Sequence, residues 1–278
     1  MYIVCFTCIL LITIYTTPTP SHLEAVKQLS IIYLTTPTAS CKVPLNDRDK
    51  LYINTLQFHH PPERRTTMKI KSAVRFCQDI GMFSIDRPRT TCKHATSFCA
   101  KHCYNVKLEA AFGHVIKPKD NRNEIYWQQL TGSGLNKELS KKRNQIKRVR
   151  LMTRGEAFST IEDIKKVKDL LKSNPSTIFW IPTRAWRNIE LRKAIESDIM
   201  TIKNARVQAS LDPSNTQEEI SSIIADGWST MFFGDDSEQS QQNRKLCPKT
   251  HQGKKAHCSK CIGGCFSPKQ THVHLKQH

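Results

Sequence analysis

Three cysteines fall within twelve residues of this chain, at Cys92, Cys99 and Cys103, spaced C-x6-C-x3-C. Three thiolates on one short loop can hold an iron–sulfur cluster and leave one iron open, or complete a zinc site with a fourth donor. The odd number excludes a self-contained set of disulfides within the loop. Four more cysteines stand near the C-terminus, Cys247, Cys258, Cys261 and Cys265, spaced C-x10-C-x2-C-x3-C. Four thiolates make a complete tetrahedral set. His251, His257, His272 and His274 are alternative donors in the same stretch, although histidines in a polar tail are more often plain polar residues. Cys5, Cys8, Cys41 and Cys77 are scattered.

The elements that must position these cysteines follow from periodicity. Residues 105–115 carry Leu108, Ala111, Phe112 and Val115 at helical spacing, so the first loop runs straight into a helix. Backbone amides at a helix start favour an anionic group. Residues 117–146 are polar and basic, with a hinge at Gly132-Ser-Gly134 and a charge run at Lys141-Lys-Arg143 read as a solvated helix face. Then strands and helices alternate. Lys147–Thr153, Thr177–Ile181, Ala205–Leu211 and Trp228–Phe233 read as strands. Between them, Ser159-Thr-Ile-Glu162 and Thr216-Gln-Glu-Glu219 read as capping boxes, and Asn174-Pro175 as a stop. Such alternation predicts an α/β fold of parallel βα units, here a partial (βα) barrel with a C-terminal cysteine-rich metal-binding tail. Function in such folds collects at the C-terminal ends of the strands. There stand Arg154-Gly155-Glu156, Thr183-Arg184, Ser210 with Asp212, and Asp235-Asp236. Each has a plain alternative: Glu156 as an acid favoured by a helix N-terminus, Arg184 and Trp186 as a packing pair.

Of the 278 residues, 38% are hydrophobic, and the mean hydropathy is −0.49, values of a soluble chain. Lys and Arg outnumber Asp and Glu by 43 to 24, a formal charge of +19 that attracts polyanions and makes nucleic acid a candidate partner. Cysteine clusters inside a βα pattern read as metal sites in a reducing compartment, hence a cytoplasmic protein. Residues 1–67 form an N-terminal extension low in structural signals, with an apolar run at 3–15 of signal-peptide length, too short for a stable membrane span. No Lys or Arg precedes the run, and a secreted protein would not keep reduced cysteine clusters; a start at Met68 is the favoured expectation. Residues 68–240 then form the βα domain and 241–278 the cysteine-rich tail.

From about Met68 the chain resembles the phage gene-product-88 family. The residues that carry the likeness are Cys99-x3-Cys103-Tyr104, Arg154-Gly-Glu-Ala-Phe-Ser159, Phe179-Trp-Ile-Pro-Thr-Arg-Ala-Trp186 and the tail Cys247-Pro to Cys258-x2-Cys261-x3-Cys265-Phe266. More distantly the layout is similar to radical S-adenosylmethionine enzymes. That resemblance implies a 4Fe-4S cluster on Cys92, Cys99 and Cys103, with the open iron binding S-adenosylmethionine. It also implies that Gly155 and Glu156 receive the cofactor's amino group, that Ser210 and Asp212 lie near its nucleoside, and that Arg184 belongs to the same site. The three-cysteine spacing departs from the C-x3-C-x2-C of those enzymes, and Arg154 stands where they carry a glycine. The alternative is a zinc-stabilised, nucleic-acid-associated protein of phage or mobile-element origin.

Overall fold

The computed structural model of the chain describes residues 71–277 apart from 142–146, 236, 238–240, 252, 254–255 and 262–263. Contacts divide the chain into Met1–Thr66 and Thr67–His278, and every described residue lies in the second unit. The apolar run at 3–15, the expected start at Met68, Asp236 and most of the charge run at 141–143 lie outside the described residues.

An eight-stranded sheet organises this unit. Its strands are β1 (Arg75–Cys77), β2 (Met82–Ile85), β3 (Arg148–Leu151), β4 (Ile178–Thr183), β5 (Ala205–Leu211), β6 (Ser229–Gly234), β7 (Lys245–Leu246) and β8 (His272–Lys276). The order is β1-β2-β3-β4-β5-β6-β8-β7, and only β1 pairs antiparallel. The sheet is open, with β1 and β7 at its edges. From β2 to β6 each strand lies beside its predecessor in the chain. Right-handed crossovers that always step the same way put their helices on one face. The core confirms it: Phe83, Ile85, Val149, Leu151, Phe179, Ile181, Val207, Ala209 and Leu211 pack with helical side chains such as Leu135, Ile164, Val167, Leu191, Ile195 and Ile223.

The helices are α1 (Ser97–His102), α2 (Tyr104–Gln129), α3 (Gly132–Ser140), α4 (Ile161–Lys172), α5 (Ile189–Asp198), α6 (Gln217–Ala225) and the single turn α7 (Pro248–His251). The second capping box is present, Thr216 and Glu219 bonding each other's backbone at the start of α6. The first is displaced by one residue. Thr160, not Ser159, caps α4 by accepting from the Asp163 amide, while Ser159 donates its hydroxyl to the Thr91 carbonyl. Helix α2 runs far beyond residue 115 because its second half is anchored from the side: Trp127 is fully buried and donates to Asp163. The helix bends at Phe112, whose backbone is not helical.

Strands β1 and β2 form a hairpin turned at Gly81, whose φ is +65°. The C-terminal segment is more than a tail, because it contributes β7 and β8 to the sheet. It also covers the face the helices leave open. There Met82, Trp180 and Met231 pack with Phe266, Cys258 and Cys265. Among the described residues no helix is long and apolar enough to cross a membrane.

Candidate metal centres

The first cysteine loop leaves β2, passes through a tight turn at Arg89–Thr91 and enters α1. Thr96 begins α1 by accepting the Cys99 amide at 2.9 Å. This cap fixes Cys99 in the first turn, and Cys103 lies between α1 and α2. None of the eight described cysteines is in a disulfide, and each is partly buried. Cys92 is pushed up to about 12, first by burial, then by the negative charge of Glu156, Cys99 and Cys103. Burial also raises Cys99, opposed by the positive charge of the nearby Arg184 guanidinium. Thiols that feel one another this way resist deprotonation unless a cation joins them.

Around the loop the strand ends are stitched together. After β2, Asp86 accepts the backbone amides of Thr153 and Arg154 at 3.1 and 3.2 Å. Arg154 follows β3 and is buried; it pairs with Asp120 at 2.7 Å and with Glu109, both on α2. Glu109 also takes Arg89 at 2.8 Å, so α2 clamps the turn that leads to Cys92. Gly155 has φ +82°, and a Cβ there would stand 2.7 Å from the Arg87 carbonyl oxygen. A side chain is excluded at this point by the neighbouring backbone itself.

Glu156 is buried, and its carboxylate is held by four donors. Oε1 accepts the Ala157 and Phe158 amides and the Thr183 hydroxyl at 2.8, 3.2 and 2.9 Å; Oε2 accepts the Arg184 amide at 3.0 Å. Burial pushes its pKa above the ordinary carboxylate value, and these donors oppose the push. Asp212 is wholly buried. Its Oδ2 receives the Arg184 guanidinium at 2.7 Å and the Thr96 hydroxyl at 2.6 Å, while Oδ1 receives the Ser214 amide and hydroxyl at 2.9 and 2.5 Å. Burial raises the Asp212 pKa, but the Arg184 charge and these hydrogen bonds outweigh it and hold the group below its usual value. Ser210 enters through its carbonyl, which accepts from Trp186 Nε1 at 3.1 Å and Arg184 Nη1 at 3.4 Å.

Glu156, Arg184, Asp212 and Cys99 are therefore one connected group, and Gly155 is its close-packed neighbour. Thr183 stands where the sequence put it, at a strand end; sequence reasoning missed Thr96, Arg89, Glu109 and Asp120, which position the others. The capping signal at Thr96, directly before the helix that carries Cys99, was open to reading. The α2 carboxylates were not, because their arginine partners are 20 and 34 residues or more away.

The second cysteine group lies against the other face of the sheet, near the strand beginnings. The Cys247 amide donates to the His274 carbonyl, and the Ser259 amide to that of Ile80. Burial lifts Cys258 to about 11, with the charges of Cys247 and Cys261 adding to it and Arg150 opposing. Cys265 is raised by burial and feels the other three cysteines as well. The tail histidines are built into the fold: His251 Nε2 lies 3.0 Å from His274 Nδ1, His272 Nδ1 meets Thr230 at 3.0 Å, and His257 reaches the Gln78 carbonyl at 3.0 Å.

A family model for gene product 88 matches residues 61–264, most of the chain, with the first cysteine group and Cys247, Cys258 and Cys261 of the second. The chain belongs to the gene product 88 family. No curated protein and no solved structure is a match to it. The family motifs now have places: Tyr104 donates its hydroxyl to the Thr153 carbonyl at 2.7 Å, and the Phe179–Trp186 segment supplies β4 and the Thr183-Arg184 turn.

Among the described residues no three His, Cys, Asp or Glu side chains converge on a point as one ion requires. A zinc ion demands that convergence, with each thiolate about 2.3 Å from the metal. A cluster places several irons between its thiolates and lets them stand farther apart.

Proposed function

We propose that this gene product 88 protein is an iron–sulfur enzyme of radical S-adenosylmethionine type. Cys92, Cys99 and Cys103 would hold a 4Fe-4S cluster with one iron open, and Cys247, Cys258, Cys261 and Cys265 a second metal–sulfur group. The observation that carries this reading is the place of the first loop. It leaves the first parallel strand of a singly wound series and meets Arg184 and Asp212 from the ends of β4 and β5. We read that series as a partial barrel.

The bound cluster would supply one-electron chemistry. The chain's own residues would prepare the site for it. Arg184 would balance charge beside the Cys99 sulfur. Glu156 keeps Arg184 in place through the backbone amide. Its Oε2 accepts that single bond, and a carboxylate oxygen can accept a second, the chemistry an ammonium of S-adenosylmethionine would call on.

Purification without oxygen tests the proposal. The expected product is brown and contains iron and acid-labile sulfide, with the first cluster's share lost in Cys99→Ala. Colourless protein with stoichiometric zinc would refute it.

One observation favours the second reading, a zinc-stabilised nucleic-acid-associated protein. The acids of α2 turn inward to arginines, Glu109 to Arg89 and Arg154, Asp120 to Arg154, Glu124 to Arg87. Its exposed side keeps Lys107, Lys117 and Arg122 beside the exposed Tyr104 and Phe112. Cations interleaved with aromatic rings suit single-stranded nucleic acid. Binding of a labelled oligonucleotide that falls steeply with salt, and weakens in Lys107→Glu, would favour this reading.

A further inference from the structure

Charge is not evenly mixed over the described surface. On the helix layer cations meet acids: Lys168 pairs with Asp198, Arg192 with Glu196 and Asp226, and Glu162, Asp169, Glu190 and Glu218 stand exposed in the same layer. The segment that carries the first cysteine loop is different. From Arg89 to Lys119 it has six Lys or Arg and a single acid, Glu109, which is taken by Arg89 and Arg154. Lys93, Lys101 and Lys107 are exposed, and none of them pairs with a carboxylate among the described residues.

These charges gather around the cysteines. Lys93 follows Cys92, and Lys101 lies between Cys99 and Cys103. The turn after β4, Ala185–Arg187, adds the exposed Arg187. His94 shows that this turn and the loop share one surface: burial lowers its pKa, and the positive charges of Lys93 and Arg187 push it the same way. Cations gathered without acids raise the local concentration of an anionic partner. A ring completes the rim. Tyr104 is 51% exposed, yet its hydroxyl is fixed on the Thr153 carbonyl at 2.7 Å. An exposed ring held at its far end has little freedom left to lose when a flat group stacks on it.

We infer that this rim is where the substrate of the first site docks, and that the substrate is a single-stranded nucleic acid, with its phosphates on Lys93, Lys101 and Arg187 and a base on the Tyr104 ring. The inference rests on the reading of the first loop as a catalytic cluster site and names the substrate class for it. Cations beside an aromatic platform suit a single strand, whose bases are free to stack. A duplex keeps its base faces covered, and an acidic peptide has no use for the ring. The zinc-stabilised alternative differs from this: there a strand lies along α2 as far as Arg122 and no chemistry follows, whereas here it passes the cysteine loop.

Fluorescence anisotropy of a labelled oligothymidylate tests this on the full-length protein, purified without oxygen, with iron and sulfide measured on the same preparation. The expected result is binding whose logarithm falls linearly with the logarithm of salt concentration. Lys93→Gln and Arg187→Gln should each make that slope shallower by about 0.7, the share of one phosphate contact on a single strand. Tyr104→Ala should weaken binding about tenfold, and Tyr104→Phe, which keeps the ring, less than about threefold. If Tyr104→Ala does not fold, the Lys93 and Arg187 variants decide, since both side chains are exposed. A strand carrying 4-thiothymidine should crosslink on irradiation to a peptide containing Tyr104. Absence of binding at low salt, unchanged slopes in both Gln variants, or crosslinks confined to α2 beyond Lys117 would overturn the inference. So would equal competition by polyglutamate together with unweakened binding in Tyr104→Ala. Iron-free protein that still crosslinks at Tyr104 would refute the cluster reading, and with it the strand's role as substrate, an outcome distinct from failure of the rim variants.

Discussion

Asp212→Asn is the most exacting probe of the first site. The carboxylate is wholly buried and all four of its acceptor positions are occupied: Thr96 and Arg184 on Oδ2, the Ser214 amide and hydroxyl on Oδ1. An asparagine has one oxygen and one NH2 to place among those four donors. Either orientation sets an N–H against two donors, and both leave Arg184 without its negative partner. Breaking a buried pair from one side costs about 3–5 kcal/mol. Because Arg184 retains the Ser210 carbonyl, the low end applies, about 3 kcal/mol. For a unit of this size that lowers Tm by roughly 6–12 °C. The assay is thermal and urea unfolding of wild type and variant followed by circular dichroism. The pH dependence supplies a second check. The folded-state pKa of Asp212 is depressed, so its contribution is fully present above the unfolded value of about 3.9 and disappears as pH falls through the lower folded value. The difference between wild type and variant should therefore be constant from about pH 6 to 8 and close below about pH 4. A loss under about 1 kcal/mol at pH 7, or a difference that persists undiminished at about pH 3, would show that the pair does not have the charge state argued above.

Two other substitutions test the frame of the site. Gly155→Ala places a Cβ 2.7 Å from the Arg87 carbonyl at φ +82°; it should cost about 3 kcal/mol, seen as a lowered urea midpoint, and a neutral result would contradict the close approach. Trp127→Phe removes the hydrogen bond to Asp163 at 3.0 Å and leaves a gap beside Arg87, whose guanidinium lies 5.2 Å from the ring centre. About 2 kcal/mol should be lost, with far-UV dichroism unchanged and α2 amides exchanging faster.

The sequence carried the repeating units best where local pattern and global packing agree. Helix α4 was legible because Ile164, Val167, Leu170 and Leu171 recur at helical spacing and all are buried. Strand β5 spans Ala205–Leu211, the expected bounds, since Val207, Ala209 and Leu211 alternate toward the helices. Strand β2 was hidden. Met82-Phe-Ser-Ile85 is buried on both faces, so it shows no alternation, and four residues are too few to stand out from a loop. Strand β8 was hidden differently. His272-Val-His-Leu-Lys276 looks polar, yet His274 is buried because it meets His251 and stacks on Phe232. The same distinction governs the site. Cys92, Cys99 and Cys103 could be grouped by spacing alone, whereas the Glu109 and Asp120 pairings depend on how a kinked helix lies across the strand ends, and no local pattern encodes that.

What joins the strand ends is a chain of side chains in which each element holds the next. Asp86 after β2 holds the Thr153 and Arg154 amides after β3. Glu156, two residues on, holds the Thr183 hydroxyl and Arg184 amide at the end of β4. Arg184 in turn reaches the Ser210 carbonyl and Asp212 at the end of β5. Asp212 closes the circuit through the Thr96 hydroxyl, which caps the helix turn carrying Cys99. Every link is between parallel neighbours or between a strand end and the cysteine loop, so it exists only when the strands stand in sequential order. This explains why the site residues are spread from Asp86 to Asp212 in the chain and yet form one buried network. A change at any link should therefore loosen Cys99 even when the mutated residue never touches it, and the effect should grow with the number of links removed. Sequential order thus does for this loop what a disulfide or a rigid turn does elsewhere: it fixes three thiols over a buried, hydrogen-bonded floor.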